Sequence, residues 1–414
     1  MSWLLSSSPA VSADTPNFKS PPTSGPLFGP LTEQDTTWAC DTTKGFMTET
    51  QSWYAILADG SWCMFQIIWS ITGIFLVPAT VQFTFKHFDP KTKKAFWKST
   101  NLTNFKPAGK GMKSDQVTIT HTGTSSTEET YVINANLAAN LQIMVTFVRP
   151  QEVPGFKIGE GAQGGMSYFG TDKNKPDGFA VHRFHPVQTS TGHIIIDKKA
   201  ISTDGEATFI HAIQGMQPNK IARRWNFAFF TSNPGAEKRV RAIMMEFETN
   251  DEHGVNGKGT GRNKVNLGGI VYDNKLSLVT SQLHNPQPED DKSSVTTSMA
   301  THMDLVQDSF TGYSPPSRVK FEWAGEALNN EGAVKAWVEN ETGSGEVGEK
   351  GLIEKVDVLA EIPYLIKKVV QVVASTKPYI YQHYQDAKLH LTVPGVEGES
   401  VIEGKLFDEL TFIS

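Results

Sequence analysis

Two histidines of this 414-residue sequence have a spacing that could bind a metal ion. His182 and His185 lie three residues apart, a spacing that places both rings on one face of a helix and could serve a metal ion. Their setting is extended and is followed by Pro186, so the rings are predicted to point apart. We therefore predict structural or pocket-rim histidines, with no metal site and no cofactor.

A serine nucleophile and a carboxylate pair are two further arrangements that the sequence suggests. Ser167 follows Gly165 but lacks the second glycine and the strand-to-helix turn of a nucleophile elbow. Glu246 and Glu248 lie two residues apart on a predicted strand, so they share a face and could form an acid–base pair. A solvated strand face is the favoured interpretation of the pair. Hydrolytic chemistry is therefore not predicted.

Aromatic residues in two groups give the most informative pattern. Both groups combine large rings with a few polar side chains, which is the composition of a small-molecule pocket. A simple barrel core is the alternative for any single member. The first group is Trp53, Tyr54, Trp62, Phe65, Gln66, Trp69 and Phe75; the second is His211, Gln214, Arg224, Trp225, Asn226, Phe227, Phe229 and Phe230.

A pocket built from these groups needs walls and hydrogen-bond donors. The predicted ligand-binding residues are Trp53, Tyr54, Trp62, Phe65, Gln66, Trp69, Phe75, Trp225, Phe227 and Met244. The predicted donors, which would act as catalytic residues in an enzyme, are Arg224, Gln214, His211 and Tyr168.

Strands are the elements that must position these residues. Apolar and polar residues alternate over 116–120, 319–323 and 388–393, which puts one face of each strand in a core. The Asp59-Gly60 pair between two aromatic runs predicts a hairpin. Only residues 363–370 show a clear helical spacing of apolar residues. Many short strands with one late helix predict barrels or sandwiches.

Composition narrows the classes of function and partner. The chain is 38% hydrophobic and 20% charged, an ordinary soluble composition. Its net charge of −6 does not attract a polyanion. Nucleic acid is therefore not an expected partner. Cys40 and Cys63 are too few for a disulfide framework or a zinc site. Two free thiols in a reducing, cytoplasmic setting are favoured over a single bridge.

Four stretches resemble the fungal survival-factor family of double-lipocalin proteins: residues 49–54, 211–227, 242–247 and the end of the chain from 377 to 414. The resemblance spans about residues 36–414. It implies an all-β fold of two lipocalin-like (calycin) antiparallel barrels with one late helix. The barrels are expected to meet near residues 205–220 and to hold an apolar cavity.

The length and the resemblance together predict three segments. Residues 1–35 carry repeated prolines and are expected to form a Pro/Ser-rich flexible arm, with Trp3, Leu4 and Leu5 making at most weak peripheral membrane contact. Secretion is a lesser alternative to cytoplasmic placement. Residues 36–218 form the predicted N-terminal lipocalin-like domain, and residues 219–414 form the predicted C-terminal one.

The resemblance implies two functions. Housekeeping members of the family are ceramide carriers between endoplasmic reticulum and Golgi, held to membranes by an amphipathic N-terminal helix. This chain departs from them in its Pro-rich arm and in the bulky run at 69–76. Diverged fungal proteins of this double-lipocalin type resemble Diels–Alder or hetero-Diels–Alder cyclases of natural-product pathways.

Both departures favour the second function. We interpret the chain as a cofactor-free pericyclase acting on an apolar, unsaturated polyketide or terpenoid metabolite, since such a reaction needs only preorganised walls and a donor. The alternative is a ceramide-binding carrier involved in oxidative-stress survival; a structural or signalling protein with an empty barrel comes third. The first two imply an apolar small-molecule or lipid ligand, and the oligomeric state stays open.

Overall fold

A computed structural model describes residues 16–43, 45–172, 174–254, 262–284, 297–343, 349–361 and 377–413. Within these ranges every strand pairing is antiparallel, and the strands form two curled sheets. The described connections between strands include three helices of four residues each: Glu33–Thr36 (α1), Pro218–Ile221 (α2) and Val358–Glu361 (α3). None of these is long enough to cross a membrane, which takes about 20 residues. The predicted helix over 363–370 lies outside the described residues.

The first sheet has 16 strands between Phe18 and Gln214. They are Phe18–Lys19 (β1), Phe28–Pro30 (β2), Met47–Leu57 (β3), Trp62–Ile71 (β4), Thr80–Asp89 (β5), Lys94–Asn101 (β6), Lys106–Ala108 (β7), Gly111–Lys113 (β8), Val117–Gly123 (β9), Glu129–Ala138 (β10), Leu141–Arg149 (β11), Phe156–Ile158 (β12), Met166–Phe169 (β13), Gly178–Ile196 (β14), Lys199–Ser202 (β15) and Gly205–Gln214 (β16).

The main path of this sheet runs β6-β5-β4-β3-β16-β14-β11-β10-β9-β8-β7. The predicted hairpin joins β3 to β4, where Gly60 has a φ of 89° and the Asp59 carboxylate accepts a hydrogen bond from the Ser61 backbone N–H at 2.8 Å. A glycine suits this position because it adopts positive φ without steric cost. The turn fixes the register, and the register decides which face each side chain of β3 and β4 occupies.

Large aromatic rings fill the concave side of the first sheet. Trp53 packs against Phe147 at 5.7 Å and Phe209 at 4.8 Å between ring centroids, and Phe65 packs against Phe85 at 5.2 Å. All five side chains are fully buried. This side of the sheet is therefore a packed core, to which Cys63 also belongs, and both Cys63 and Cys40 are free thiols.

The second sheet has ten strands between Arg224 and Phe412. They are Arg224–Ser232 (β17), Val240–Glu248 (β18), Lys264–Tyr272 (β19), Lys275–His284 (β20), Met299–Leu305 (β21), Pro316–Glu326 (β22), Ala333–Glu341 (β23), Leu352–Asp357 (β24), Tyr379–Thr392 (β25) and Ser400–Phe412 (β26).

The path of the second sheet runs β20-β19-β18-β17-β26-β25-β23-β22-β21, with β24 beside β25. The alternation predicted over 319–323 is present in β22, where Val319, Phe321 and Trp323 are buried in the core of this sheet. The two sheets confirm the prediction of an all-β, lipocalin-like fold. The chain passes from one sheet to the other through α2.

A third apolar cluster joins the two sheets. Trp62 of β4 stacks on Phe407 of β26 with ring centroids 4.4 Å apart, and Tyr54 of β3 lies 4.9 Å from Phe227 of β17 and 5.2 Å from Phe407. These rings belong to one buried cluster that takes residues from both sheets. The convex sides of β3, β4, β17 and β26 are therefore in contact rather than in water.

The prediction of a flexible arm is wrong for residues 16–35. Phe18 pairs with Phe169 of β13 and is buried, and β2 pairs with β12. Asp35 is buried in two ion pairs, with Lys157 at 2.7 Å and Arg183 at 2.8 Å. Strands of two or three residues at a sheet edge tolerate flanking prolines, and burial of Phe18 and Asp35 outweighs the local preference. Residues 1–15, with Trp3, Leu4 and Leu5, lie outside the described ranges.

Candidate functional site

A cavity of about 340 Å³ lies between the two sheets, where their convex sides separate beyond the Trp62–Phe407 contact. The first sheet contributes Thr48, Thr50, Ser52, Tyr54, Gln66, Ile68, Ser70, His182, Ile210, Ala212 and Gln214. The second sheet contributes Trp225, Phe227, Met245, Ile380, Glu409 and Thr411, and Ile413 follows directly after β26. Connecting segments complete the lining with Phe46, Pro218, Asn219, Val358, Leu359 and Pro378.

The strand period explains why these residues and not their neighbours line the cavity. Successive side chains of a strand point to opposite faces. On β3, Tyr54 faces the cavity, while Trp53 is packed in the core of the first sheet. On β18, Met245 faces the cavity, while Met244 is packed in the core of the second sheet.

Hydroxyl and amide side chains form rows along the first-sheet wall. Ser52 lies opposite Gln66 of β4 and Ile210 of β16, and Thr48 lies opposite Ser70 and Gln214. From Tyr54 to Thr48 the wall spans six residue-to-residue steps, or about 20 Å at the rise of an antiparallel strand. This wall is therefore long and moderately polar.

The facing wall from the second sheet is mostly apolar. Trp225 and Phe227 of β17 stand beside Thr411 and Glu409 of β26 in the strand register. Met245, Ile380 and Ile413 extend the apolar surface. A cavity with one polar and one apolar wall suits an amphipathic ligand better than a purely apolar one.

Among the described residues that line the cavity, Glu409 is the one carboxylate. Its Oε1 accepts a hydrogen bond from Gln382 Nε2 at 2.6 Å, and its Oε2 lies at a long 3.5 Å from the Tyr54 hydroxyl. Burial raises the pKa of Glu409 above its ordinary value, whereas the Gln382 hydrogen bond and the positive charge of Lys86 oppose the rise. Glu409 thus lines the cavity with one oxygen, Oε2, whose hydrogen bond is long.

Lys86 supplies positive charge behind this carboxylate. Its Nζ donates to Gln382 Oε1 at 2.8 Å and forms an ion pair with Glu354 at 2.6 Å. Lys86 lies on β5 of the first sheet, and Gln382 lies on β25 of the second, so the contact also ties the sheets together. The relay from Lys86 through Gln382 holds the Glu409 carboxylate in one orientation.

Two further titratable groups of the cavity are neutral near pH 7. Burial and the nearby Glu409 charge raise the pKa of Tyr54 well above its ordinary value, so its hydroxyl keeps its proton. Burial lowers the pKa of His182 to about 4, and the ring stands edge-on to Trp225 at 5.7 Å between centroids. The described part of the cavity lining therefore combines neutral hydrogen-bonding groups with a single carboxylic acid.

The predicted ligand-binding residues divide between the cavity and other surroundings. Tyr54, Gln66, Trp225 and Phe227 line the cavity. The other assignments are corrected: Trp53, Phe65 and Trp69 are buried in the first-sheet core, Met244 is buried in the second, Trp62 packs beneath the cavity on Phe407, and Phe75 is exposed on a loop. Adjacent residues of one strand cannot share a face, which is why the aromatic groups separate.

The four predicted donors do not share a site. Gln214 lines the cavity. His211 is buried on the other face of β16, within 2.8 Å of Asp35 O and of Glu49 Oε1. Arg224 is paired with Glu248 at 2.6 Å, and the Tyr168 hydroxyl lies 3.1 Å from Met166 Sδ on β13. The structure therefore separates the donor constellation that the sequence suggested.

The histidine pair and Glu246, which suggested metal binding or acid–base catalysis, have structural roles. His182 and His185 lie on opposite faces of β14, as predicted: the first lines the cavity and the second packs against Phe209. Glu246 is buried and accepts hydrogen bonds from Asn226 and Asn266, each at 2.9 Å, so the prediction of a solvated face is wrong. Among the described residues no group of three or more His, Cys, Asp or Glu side chains is arranged to hold a metal ion.

Sequence reasoning missed Glu409, Met245, Ile380 and the hydroxyls of the first-sheet wall. The signal that could have found the hydroxyls is the alternation of Thr48, Thr50 and Ser52 along β3, which places them on the same face as Tyr54. Glu409 gives no comparable signal, because a carboxylate that follows Asp408 and precedes Leu410 suggests a surface residue. Its burial depends on the contact between the two sheets.

The sequence of residues 8–414 matches the Svf1 family. A protein of Emericella nidulans named ceramide-binding protein svf1 is 31% identical over 437 aligned positions that cover all of both chains. A Neurospora crassa protein named ceramide-binding protein svf-1 is 30% identical over 410 positions, covering 95% of this chain and 96% of the relative. The ceramide-binding protein svf1 of Schizosaccharomyces pombe is 29% identical over 394 positions, covering 94% and 90%.

Two solved structures resemble the fold over nearly its whole length. An AttH protein of Nitrosomonas europaea superimposes with a TM-score of 0.50 at 12% identity, covering 90% of this chain and 93% of its own. A protein named CghA gives a TM-score of 0.51 at 11% identity, covering 95% and 94%. At such identities the likeness shows the fold alone.

Proposed function

This chain belongs to the Svf1 family, and from that premise we propose that the cavity between its two sheets binds one ceramide-type lipid for carriage. The observation that carries the proposal is the composition of the cavity, which joins a hydroxyl- and amide-bearing wall to an apolar one. The names of the relatives support a ceramide as the ligand. They favour the carrier, the alternative that the sequence offers, over the cyclase.

A ceramide headgroup offers hydrogen-bond donors to Glu409, at the inner end of the cavity next to the Trp62–Phe407 stack. The headgroup carries two hydroxyls and a secondary amide, three donors in all, beside one amide carbonyl. Glu409 lines the cavity, and its Oε2 accepts only a long hydrogen bond from Tyr54, so a better donor would improve its hydrogen bonding. We assign Glu409 to accept from a headgroup hydroxyl or amide, and Tyr54, Gln66 and Ser52 to complete the polar contacts.

The two hydrocarbon chains of a ceramide suit the remaining wall. Trp225, Phe227, Met245, Ile380 and Ile413 are the apolar residues of the second-sheet side. With the headgroup at Glu409, the chains run toward Phe46, Ser70 and Pro378, at the end of the cavity opposite the Trp62–Phe407 stack. Burial of these chains supplies the larger part of the binding free energy, at about 0.8 kcal/mol per buried methylene.

The cyclase hypothesis loses the arrangement on which it depended. A pericyclic enzyme needs a donor aimed at the substrate inside the pocket that holds it. Of the four predicted donors only Gln214 lines the cavity, while His211, Arg224 and Tyr168 are engaged elsewhere. Within the described residues, no observation favours cyclisation over binding.

Removal of the carboxylate tests the proposal. Glu409→Leu keeps a side chain of similar length and removes the acceptor, so the affinity for a fluorescent short-chain ceramide is expected to fall about tenfold or more, since a hydrogen bond to a charged group contributes about 1.5–3 kcal/mol. Glu403→Leu is the matched control, because Glu403 is exposed on the same strand. Equal affinities of Glu409→Leu and the control would contradict the headgroup assignment.

Cytoplasmic placement beside membranes remains part of the proposal. A carrier must take its lipid from one membrane and release it at another, and neither step requires a span of its own. Fractionation of cells that express the full chain at its natural level would check this placement, with the protein expected in the supernatant and in a salt-extractable membrane fraction.

A further inference from the structure

Three consecutive apolar residues protrude from the loop that joins β4 to β5. Ile74, Phe75 and Leu76 are 47%, 88% and 85% exposed, and Phe75 and Leu76 have the highest values among the large apolar side chains of the described residues. A turn closes the tip, with the Val77 backbone N–H donating to Ile74 O at 3.1 Å. We call residues 74–76 the apolar tip.

The apolar tip stands directly beside the cavity. Its loop leaves β4 after Ile71, next to Ser70, which lines the cavity, and Gly73 packs against the backbone of Gly45. Phe46, the residue after Gly45, also lines the cavity. The base of the loop is thus part of the rim toward which the chains of a bound lipid would point.

The backbone of the tip is held in a disfavoured shape. Leu76 has a φ of 66°, in the left-handed region that a branched side chain rarely occupies. Such a conformation persists where the surrounding structure or a function requires it. Here it leaves two large apolar side chains together in solvent, where neither contributes to folding.

The size of the exposed surface indicates what covers it. Three side chains with these exposures present roughly 400 Å² of apolar area, about half of what each side of a stable protein interface buries. A lipid bilayer requires no matching partner surface, and aromatic and aliphatic side chains at a protruding tip partition into its interfacial region. Exposed Lys220 and Lys377 adjoin the rim residues Asn219 and Pro378 and would meet lipid phosphates.

We propose that the apolar tip inserts into a lipid bilayer surface and holds the mouth of the cavity against it. A ligand with two hydrocarbon chains could then pass between bilayer and cavity without crossing water. The docking role stands on the tip itself; the identity of the ligand that passes rests on the function proposed above.

Vesicle flotation of the full chain tests the proposal. The double variant Phe75→Ser/Leu76→Ser is compared with wild type and with Met144→Ser/Val401→Ser, a control that removes two side chains with 53% and 51% exposure from β11 and β26. Vesicles are made of phosphatidylcholine with and without phosphatidylserine. Wild type and control are expected to float with the vesicles. The vesicle-bound fraction of the tip variant is expected to be about fivefold or more below that of wild type.

A second measurement separates docking from ligand binding. The tip variant is expected to bind fluorescent ceramide in solution as wild type does, but to transfer it between vesicles several times more slowly. Co-flotation equal to wild type would overturn the proposal, as would absence of wild-type binding to either vesicle. A dimer that sediments as such in wild type and as monomer in the tip variant would overturn it too, since the tip would then cover a second copy. Tip-dependent flotation without any ceramide binding would uphold the docking role and refute the proposed function.

Discussion

Glu409 shows how one residue takes its properties from two sheets. Its backbone belongs to β26, its hydrogen bond comes from Gln382 on β25, and the charge that moderates its pKa comes from Lys86 on β5. Burial is the largest influence on this carboxyl and raises its pKa. An acid in such a setting destabilises the empty protein once it ionises, and a ligand that donates hydrogen bonds offsets that cost.

The raised pKa of Glu409 predicts a pH dependence of stability. Between the ordinary value of 4.5 and the raised native value, the native state binds more protons than the unfolded state, so stability falls as pH rises through this window. Glu409→Leu removes the contribution. Urea unfolding at a series of pH values should show a flatter decline above pH 4.5 for the variant than for wild type. A decline of the same slope in both would mean that the carboxyl titrates normally.

Asp35 predicts the opposite dependence. Ion pairs with Lys157 and Arg183 hold its pKa at about 2 against the unfavourable effect of burial, so the stability that it contributes is present above pH 4 and is lost as pH falls toward 2. Asp35→Asn leaves two buried cations without their partner and should cost about 3–5 kcal/mol of unfolding free energy at pH 7.

An exposed carboxylate provides the control for Asp35. Asp304→Asn removes an ion pair to Arg318 in which both side chains are at least 40% exposed, so a change below about 1 kcal/mol is expected. Both variants can be compared by urea unfolding. A small effect of Asp35→Asn would indicate that residues 16–35 are not docked, in agreement with the flexible arm expected from the prolines.

The strands illustrate what periodicity predicts and what it leaves open. Alternation and the Asp59-Gly60 turn correctly predicted β3, β4, β22 and β25, because these patterns depend on local geometry. The same patterns do not reveal which face meets a core and which meets a cavity, since each face of β3 and of β18 mixes polar residues with apolar or aromatic ones. Trp53 and Met244 were therefore assigned to a pocket that their neighbours line.

Neighbouring methionines of β18 turn this difference into a prediction. Met244→Ala opens a void in the core of the second sheet and should cost about 2–5 kcal/mol of stability with little change in ligand affinity. Met245→Ala should weaken ligand binding severalfold at a smaller cost in stability. Urea unfolding and ceramide titration of both variants measure the two effects. Equal effects on binding would place the ligand elsewhere.

At the scale of the whole molecule, the contact between the sheets makes the site. The Trp62–Phe407 stack closes its inner end, and the Lys86–Gln382 contact supports it from behind. The sequence could indicate two barrels with an apolar cavity, through the resemblance of its long motifs. It could not place the cavity between convex sides, because that depends on contacts between residues more than 300 positions apart, such as Tyr54 and Glu409.

The shared cluster predicts that the two sheets unfold together. Phe407 is fully buried and contacts rings of both sheets, so Phe407→Ala should cost about 3–5 kcal/mol. Because both sheets share this cluster, hydrogen exchange in Phe407→Ala should accelerate in β4 as well as in β26. Its chemical unfolding should remain a single transition. Acceleration confined to the second sheet would show that each sheet is stable alone.

Occupation of the cavity by a lipid is the central claim, and native mass spectrometry with ceramide tests it most directly. Ala212 lines the middle of the first-sheet wall, so Ala212→Trp fills the space that the ligand needs, whereas Ala200→Trp adds the same ring at an exposed position of β15. We predict one bound ceramide per chain for wild type and Ala200→Trp, and none for a folded Ala212→Trp. Equal ceramide occupancy of Ala212→Trp and wild type, or no binding by wild type, would contradict the account.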